Sequence, residues 1–375
     1  MANPTVVSQV NADVNSTTNT TSQGQRHSVS TQQPTGTSPT SQETVSDSVS
    51  LVRRYLNGKG LSTTATTVME QSWRSGTRKQ YATYLQKWRR YCSSRGIDPI
   101  CPSVEDGINF LAELYDSGIG YSAINTARSA VSSIVTVPIN SSFGAHPMVC
   151  RFHKGLFELT PSLPKYKNIW DFNTVLTYLS GLHPPQDLTL KDLTYKTTRL
   201  LALLSGQRCQ TVHLLSVRGM VLKHDSCVFT IHKLLKTSRP GKHVSALTFT
   251  AYSPDGRLCP IVCLSEYVKR TSELRKGSDQ LLVSFQKPYQ PVSTDTISRW
   301  LKTVLAKSGI DTSVFKGHST RAASTSAAAV CKIPLSTIMD NAGWSNATTF
   351  EKFYKKPIVP ASKAYGQLLL ENLHT

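Results

Sequence analysis

Apolar residues recur at helical spacing from residue 51 to about residue 160. In the segment SWRSGTRKQYATYLQKWRRYC, steps of one, three or four residues separate Tyr81, Tyr84, Leu85, Trp88, Tyr91 and Cys92. The segments VEDGINFLAELYDSG and YSAINTARSAVSSIV repeat this pattern, which is typical of one buried face of an α-helix. The pattern therefore predicts a small helical domain.

The pattern changes after Pro161 and Pro164, which interrupt the helical spacing and predict a linker between two domains. Two more helices are predicted in DFNTVLTYLSGL and LTYKTTRLLALLSGQ, the second ending at Ser205-Gly206. Alternating β-branched and aromatic residues in CVFTIHKLL and HVSALTFTAY flank a Ser-Arg-Pro-Gly turn and predict a β-hairpin. Helical patterns return from Thr294. The predicted fold class is α+β, mainly helical with one small β-sheet.

Composition refines the division of this chain of 375 residues. Residues 1–50 contain 30 Ser, Thr, Asn and Gln and no aromatic residue, too little apolar surface to compensate for ordering the chain. We therefore predict a disordered tail over 1–50, a helical domain over 51–160, a second domain over 161–356 and a C-terminal tail over 357–375. In the C-terminal tail, Ala364, Leu368 and Leu369 have the spacing of a short amphipathic helix.

The charge balance points to a polyanionic partner. Lys and Arg number 42 against 23 Asp and Glu, which gives a formal net charge of +19. No apolar run approaches the ~20 residues needed to span a bilayer, so a membrane protein is not expected. The N-terminus shows no secretory signal, and the eight cysteines are therefore expected to be reduced.

The first predicted helix is unusually basic. Residues 71–95 hold seven Lys and Arg and no acidic residue, whereas a helix that is merely solvated usually mixes both signs. This asymmetry favours contact with DNA over a plain solvated face. The predicted DNA-binding residues are Arg74, Arg78, Lys79, Lys87, Arg89, Arg90, Arg128 and Lys242.

Several common motifs have no support in the sequence. Cys259 and Cys263 have the spacing of half a zinc site, but no second pair of ligands follows, and buried free thiols are the better interpretation. The chain contains neither a Walker motif nor an HExxH motif. No metal site is therefore predicted.

One ordered set of residues suggests chemistry: Arg208, Lys236, His318, Arg321, Trp344 and Tyr354. Each of these residues taken alone is more often structural than catalytic. The order of the whole set, rather than any single member, indicates a catalytic site.

The set suits phosphoryl transfer without a metal ion. Arg208 and Arg321 can stabilise the charge on a phosphodiester, because a guanidinium offers planar, paired donors. Tyr354 is the expected nucleophile, with His318 accepting its proton. Lys236 on the hairpin is the expected donor of a proton to the departing 5′ oxygen.

Two further assignments concern the choice of the acid, which is open, and the role of Trp344. Lys233 and Lys242 lie on the same hairpin and compete with Lys236 for the role of the acid. Trp344 is expected to donate its indole N–H to the phosphate while its ring packs the site closed.

In order and local context, this set resembles the tyrosine recombinase (phage integrase) family over roughly residues 65–356. The phrases SGQRCQT and AGWSN…FEKFYKK resemble the DIRS-like and crypton-type branch of eukaryotic mobile elements. The resemblance implies a helical core-binding (SAM-like) domain and a recombinase catalytic domain that form a C-shaped clamp on double-stranded DNA. It also implies a 3′-phosphotyrosyl bond to Tyr354, a released 5′-hydroxyl and no requirement for ATP or another cofactor. Relatives often place an acidic residue where this chain has Thr211, so the brace for Arg208 must come from elsewhere or be weaker.

The expected function is site-specific recombination that integrates or excises a mobile element in the nucleus, by a dimer to tetramer assembled on DNA. One alternative is a catalytically retired DNA-binding protein derived from such a recombinase. Another is a monomeric enzyme that relaxes DNA like a type IB topoisomerase. In relatives, a C-terminal tail docks on the neighbouring subunit; folding back onto its own chain is the other interpretation for residues 357–375.

Overall fold

A computed structural model describes residues 50–136, 142–161, 167–244 and 246–359. The chain divides into two compact units, with the boundary between Ser162 and Leu163. The predicted disordered segment up to residue 49 and the predicted tail helix around Ala364 and Leu368 lie outside the described residues. None of the described helices combines the length and apolar character that a bilayer span requires.

The first unit is helical throughout its described part. Its helices are α1 (50–57), α2 (Thr63–Glu70), α3 (Ser75–Arg95), α4 (Val104–Asp116), α5 (Tyr121–Ser132) and α6 (Pro147–Leu159), with a short 3-10 turn at Phe143–Ala145. The three helices predicted from spacing correspond to α3, α4 and α5, and are confirmed.

The apolar stripe of α3 forms the centre of this unit. Leu85, Trp88 and Cys92 are almost completely buried, and the indole N–H of Trp88 donates to the carbonyl oxygen of Pro99 at 2.9 Å. Helix α4 begins with a capping box in which Ser103 and Asp106 satisfy each other's backbone N–H groups. The stripe supplies the driving force for packing, and the cap fixes where the next helix begins.

The second unit surrounds a central buried helix. Its helices are α7 (Phe172–Gly181), α8 (Leu190–Ser205), α9 (Cys209–His213), α10 (Pro260–Thr271), α11 (Thr294–Lys307), α12 (Ser319–Val330), α13 (Leu335–Ala342) and α14 (Ala347–Phe353). Helix α8 packs against α10, α11 and α12, and twelve of its sixteen residues are buried. It ends at Gly206, whose φ of 59° is the left-handed conformation that favours glycine, as the sequence predicted.

Two small sheets complete the second unit. Strands β2 (Met220–Leu222), β3 (Ser226–Thr230) and β4 (Ala246–Thr250) form an antiparallel sheet in the order β2-β3-β4, which confirms the predicted hairpin and adds a strand. Strands β1 (Ile169–Trp170) and β5 (Ile358–Val359) pair in parallel. The β1–β5 pair therefore fixes the start of the unit beside the segment that follows Tyr354.

Candidate active site

Five of the six predicted catalytic residues line one cavity of about 630 Å³ in the second unit. They are Arg208, Lys236, His318, Arg321 and Tyr354. These residues come from four separate parts of the chain: the turn after α8, the β3–β4 connection, the start of α12 and the end of α14. The fold thus assembles in space a set that is spread over almost 150 residues of sequence.

Arg208 stands at the start of α9, half-buried, in the turn that Gly206 opens. The residue before it, Gln207, is buried and fixes this turn to the end of α13. Its side-chain amide donates to the carbonyl oxygen of Asn341, while its carbonyl oxygen accepts from the Thr211 hydroxyl at 3.1 Å. Thr211 therefore binds the Gln207 side chain, and the turn that carries Arg208 is braced by the hydrogen bonds of this amide.

Arg321 joins the same two segments from α12. Its guanidinium donates to the carbonyl oxygens of Gly206 at 3.2 Å and Ala342 at 2.6 Å, which are the ends of α8 and α13. The pKa of Arg321 is lowered to about 10, mainly by burial and secondly by the positive charge of Arg208. The Tyr354 side chain partly counteracts this lowering. The two guanidiniums thus lie close enough to repel each other, and an anion between them would relieve that repulsion.

His318 occupies the turn that leads into α12, exposed at the wall of the cavity. This turn lies tightly against α11, since a Cβ atom on Gly317 would come within 2.6 Å of the Ser298 carbonyl oxygen. The hydroxyl of Thr320 donates to the Gly317 carbonyl oxygen at 2.7 Å and closes the turn. Glycine at position 317 is therefore what lets His318 reach the cavity.

Tyr354 follows the last residue of α14, half-buried at the cavity. Ser326 of α12 holds the backbone on both sides of it: its hydroxyl donates to the Tyr354 carbonyl oxygen at 2.7 Å and accepts from the Lys356 N–H at 3.0 Å. The helix that carries Arg321 therefore also fixes the segment that carries Tyr354.

Trp344 lies beneath the cavity rather than in its wall. Its ring centroid is 4.5 Å from that of Tyr354, and the Arg321 guanidinium carbon is 4.4 Å from the Trp344 ring. The indole nitrogen is buried and has no hydrogen-bond partner among the described residues. This geometry supports the predicted packing role but not the predicted donation to a phosphate.

The three candidate lysines of the hairpin are placed differently. Lys236 is exposed at the cavity and belongs to its wall. Nζ of Lys242 donates to the Trp344 carbonyl oxygen at 2.9 Å, so this lysine ties the hairpin to Trp344. Lys233 is exposed and is not among the described residues that line the cavity. The geometry favours Lys236 as the residue that reaches a bound group.

The cavity is strongly positive. Among its described lining residues, Asp295 alone carries a carboxylate, against Arg208, Lys236 and Arg321. A concave site with this balance is suited to an anionic group such as a phosphodiester.

Sequence reasoning missed the residues that brace this cavity. Gln207 precedes Arg208 directly, but nothing in the sequence indicates that its partner Asn341 lies more than 130 residues away. Asp295 and Ser298 also line the cavity, from the start of α11. The helical pattern from Thr294 predicted a helix here, and Ser293 caps it in the structure, but neither feature indicates what the helix faces.

The predicted DNA-binding residues of the first unit are mostly exposed. Arg74, Lys79, Lys87, Arg89 and Arg90 are exposed along α3 and at its start. Arg78, at the start of the same helix, is half-buried, and its guanidinium donates to the Glu70 carbonyl oxygen at 2.9 Å and to the Gln71 side chain at 3.0 Å. It therefore holds the end of α2.

Arg128 is half-buried on α5 and lines a shallow hollow of about 400 Å³. The same hollow is bordered by the hydroxyl-bearing residues Ser129, Ser132, Ser133 and Ser142. A guanidinium beside several hydroxyls can donate to a phosphate oxygen.

Comparison with solved structures finds this fold in site-specific recombinases and integrases. The XerH site-specific recombinase bound to palindromic difH substrate matches with a TM-score of 0.53 and 13% identity, over 88% of this chain and 96% of that one. The Tn1549 transposon integrase in complex with transposon right end DNA matches with a TM-score of 0.52 and 13% identity, over 88% and 99%. A lambda integrase dimer bound to a COC′ core site matches with a TM-score of 0.50 and 14% identity, over 83% and 96%.

No family model matches the sequence, and no curated protein matches it. At identities of 13–14% the structural likeness establishes the fold. The predicted fold class is confirmed, and the chain has the fold of tyrosine recombinases and integrases.

Proposed function

We propose that the protein is a DNA recombinase that cleaves and rejoins strands through a covalent bond between Tyr354 and a 3′ phosphate. The observation that carries this proposal is the cavity in which Arg208, Lys236, His318 and Arg321 converge on Tyr354. Cleaving a phosphodiester in this way needs donors for the phosphate oxygens, a base for the nucleophile and an acid for the leaving oxygen. The cavity offers a side chain for each need.

The proposed step balances without a further reactant. The Tyr354 phenolic oxygen bonds to phosphorus, and the bond from phosphorus to the 5′ oxygen breaks. The phenolic proton passes to His318, and Lys236 protonates the 5′ oxygen as it leaves. Arg208 and Arg321 stabilise the charge on the non-bridging oxygens throughout. Reversal of the step with a different 5′-hydroxyl joins a new strand, and the phosphodiester bond energy is kept.

Double-stranded DNA is the proposed partner. The exposed cations of α3 and the Arg128 hollow offer contacts to phosphates outside the catalytic cavity. The XerH, Tn1549 and lambda proteins of this fold were solved in complex with DNA, the lambda protein as a dimer. We accordingly propose that this protein also assembles on DNA as a dimer or tetramer.

The biological setting is proposed from the sequence. The SGQRCQT and AGWSN…FEKFYKK phrases support integration or excision of a mobile element of the DIRS-like or crypton type. The nucleus is then the site of action, because the substrate is chromosomal DNA.

Covalent trapping tests the proposed chemistry. Duplexes of randomised sequence would each carry a nick, so that the short strand released by cleavage diffuses away and rejoining is blocked. After denaturation, the wild-type protein is expected to remain attached to DNA, whereas Tyr354→Phe is not. Tyr252→Phe is the matched control, since Tyr252 is an exposed tyrosine of the same unit outside the catalytic cavity.

Other outcomes point to other functions. An adduct that persists in Tyr354→Phe would mean that another residue is the nucleophile. Steeply salt-dependent binding of the wild type without any adduct would favour a protein that only binds DNA. Relaxation of supercoiled plasmid at concentrations where the protein is monomeric would favour a topoisomerase-like activity.

A further inference from the structure

The connection between β3 and β4 is closely held although it contains no regular secondary structure in its described part. Residues 231–244, here called the Lys236 loop, place Lys236 at the cavity wall. The Ser238 N–H donates to the Leu235 carbonyl oxygen at 2.9 Å, and the Leu235 N–H donates to the Ser238 hydroxyl oxygen at 2.8 Å. Because Leu235 and Ser238 are both buried, this reciprocal pair anchors the turn on each side of Lys236.

His243 closes the base of the loop. Its Nε2 lies 2.8 Å from the Ile231 carbonyl oxygen, and its Nδ1 lies 2.6 Å from the Ser238 hydroxyl oxygen. A carbonyl oxygen only accepts, so Nε2 carries a proton, and in a neutral ring Nδ1 accepts from Ser238. The ring thereby joins the end of β3 to the turn that carries Lys236.

A second set of contacts fixes the loop to the turn between α13 and α14. Lys242 donates to the Trp344 carbonyl oxygen at 2.9 Å. A Cβ atom on Gly343 would lie 3.2 Å from the Thr237 hydroxyl oxygen and 3.1 Å from a Val244 methyl carbon, so the loop packs directly on this glycine. The ring of Trp344 in turn contacts Arg321 and Tyr354. The loop is therefore attached to the residues that surround the nucleophile.

From these contacts we infer that His243 and Lys242 are positioning residues that hold Lys236 at the scissile phosphate. The inference rests on the proposed function and adds a means by which the acid is set in place before DNA binds. Neither residue is among the described residues that line the cavity: His243 acts through the turn at Ser238, and Lys242 acts through Trp344. A displacement of about 1 Å in such a group can reduce a rate about 100-fold.

A pair of substrates separates loss of the acid from general damage. In one, the scissile bond has its natural 5′ oxygen, and in the other, sulfur replaces that oxygen. A thiolate leaves without help because a thiol has a pKa of roughly 8.5, whereas an alkoxide requires protonation. Lys236→Ala is expected to cleave the oxygen substrate at least about 100-fold more slowly and the sulfur substrate at a nearly normal rate.

His243→Ala should show the same pattern, with the oxygen substrate slowed about 10- to 100-fold and the sulfur substrate little affected. DNA affinity should stay unchanged. His224→Ala is the matched control, because His224 lies in the β2–β3 turn with its side chain 93% exposed. Equal slowing of His243→Ala on both substrates, or no slowing on either, would overturn the positioning role.

Lys242 is tested by two substitutions. Lys242→Met should reproduce the His243→Ala pattern, while Lys242→Arg should keep the tether to Trp344 and retain the rate. Since a guanidinium is a very poor proton donor, a Lys242→Arg variant that fails only on the oxygen substrate would make Lys242 the acid and refute the tether. If the wild type cleaves neither substrate, the proposed function itself is overturned. That outcome differs from a failure of the positioning role, which appears only in the variants.

Discussion

Arg199 provides a quantitative test of how this catalytic unit is built. It lies on α8 with no exposed surface, and one guanidinium nitrogen donates to the Thr320 hydroxyl at 2.7 Å. The guanidinium carbon lies 4.9 Å from the Trp170 ring centre, and the other two nitrogens have no hydrogen-bond partner among the described residues. Burial lowers the pKa of Arg199 to about 9. A charge with so few partners should destabilise the fold.

The size of this effect follows from the pKa. A fall from the ordinary arginine value to about 9 corresponds to roughly 5 kcal/mol against the charged form. Replacing Arg199 also removes its hydrogen bond to Thr320 and its contact with Trp170, so the gain in stability should be smaller than this value. Thr320 also donates to the Gly317 carbonyl oxygen, so the loss of Arg199 leaves its hydroxyl donor satisfied. Arg199→Met should therefore stabilise the protein by roughly 1–4 kcal/mol, the gain seen when buried ions are replaced by apolar residues.

The gain in stability from Arg199→Met should decrease as the pH rises. Because the folded-state pKa is lowered, the unfolded chain binds more protons between about pH 9 and the ordinary arginine value, and wild-type stability rises with pH there. Below pH 9 the cost of the charge is fully present. The advantage of Arg199→Met should thus be greatest at neutral pH and shrink as the pH rises above 9.

Arg275 is the matched comparison, since it is also buried but well partnered. It donates to the carbonyl oxygens of Gln280 and Leu281 and to the Thr271 hydroxyl. Arg275→Met would leave these buried carbonyl oxygens without that donor, at a cost of about 1–3 kcal/mol. Urea unfolding of the full chain, followed by circular dichroism, measures both variants. Destabilisation by Arg199→Met comparable to that by Arg275→Met would refute the argument from hydrogen-bond partners.

Two further predictions concern single residues. Gly317→Ala should lower the free energy of unfolding by about 1–3 kcal/mol and displace His318, because the added Cβ meets the Ser298 carbonyl oxygen. Gly256→Ala is the control: it has open space at its Cβ and should be nearly neutral in the same unfolding experiment. Burial and the charge of Arg128 lower the pKa of His153 to about 4, so the folded protein loses stability as the pH falls from about 6.5 through 4. His153→Phe should remove this loss, with an advantage of about 3 kcal/mol near pH 4 that is absent at pH 8, and parallel pH profiles for the two proteins would contradict it.

The sequence predicted the elements whose information is local. The spacing around Leu85 and Trp88 located α3, and glycine at 206 marked the end of α8, because a periodic apolar face and a left-handed cap are properties of short segments. The ordered catalytic set could also be recognised, since its residue types carry the chemistry wherever the chain places them. The sequence did not indicate how deeply each side chain of the set is buried. Trp344, which was expected to donate to the phosphate, lies under the cavity instead of in its wall.

Contacts between distant segments were beyond the sequence. The pairing of Ile169 with Ile358 involves two residues on each strand, too few for any alternation to be visible. The bond from Gln207 to Asn341 joins a side chain to a backbone carbonyl, which leaves no trace in residue type at the second position. These long-range contacts brace the site. The residues of the site can therefore be recognised in the sequence, whereas their geometry depends on the folded structure.

Locating the covalent bond tests the proposed chemistry most directly. The trapped wild-type adduct would be purified, digested with trypsin and nuclease, and its peptides weighed by mass spectrometry. The expected result is a nucleotide joined through its 3′ phosphate to Tyr354, in the peptide Phe353–Lys355, with a free 5′-hydroxyl on the released strand. A nucleotide on any other residue, or a 5′-phosphate on the released strand, would contradict the assignment of Tyr354 and of the reaction.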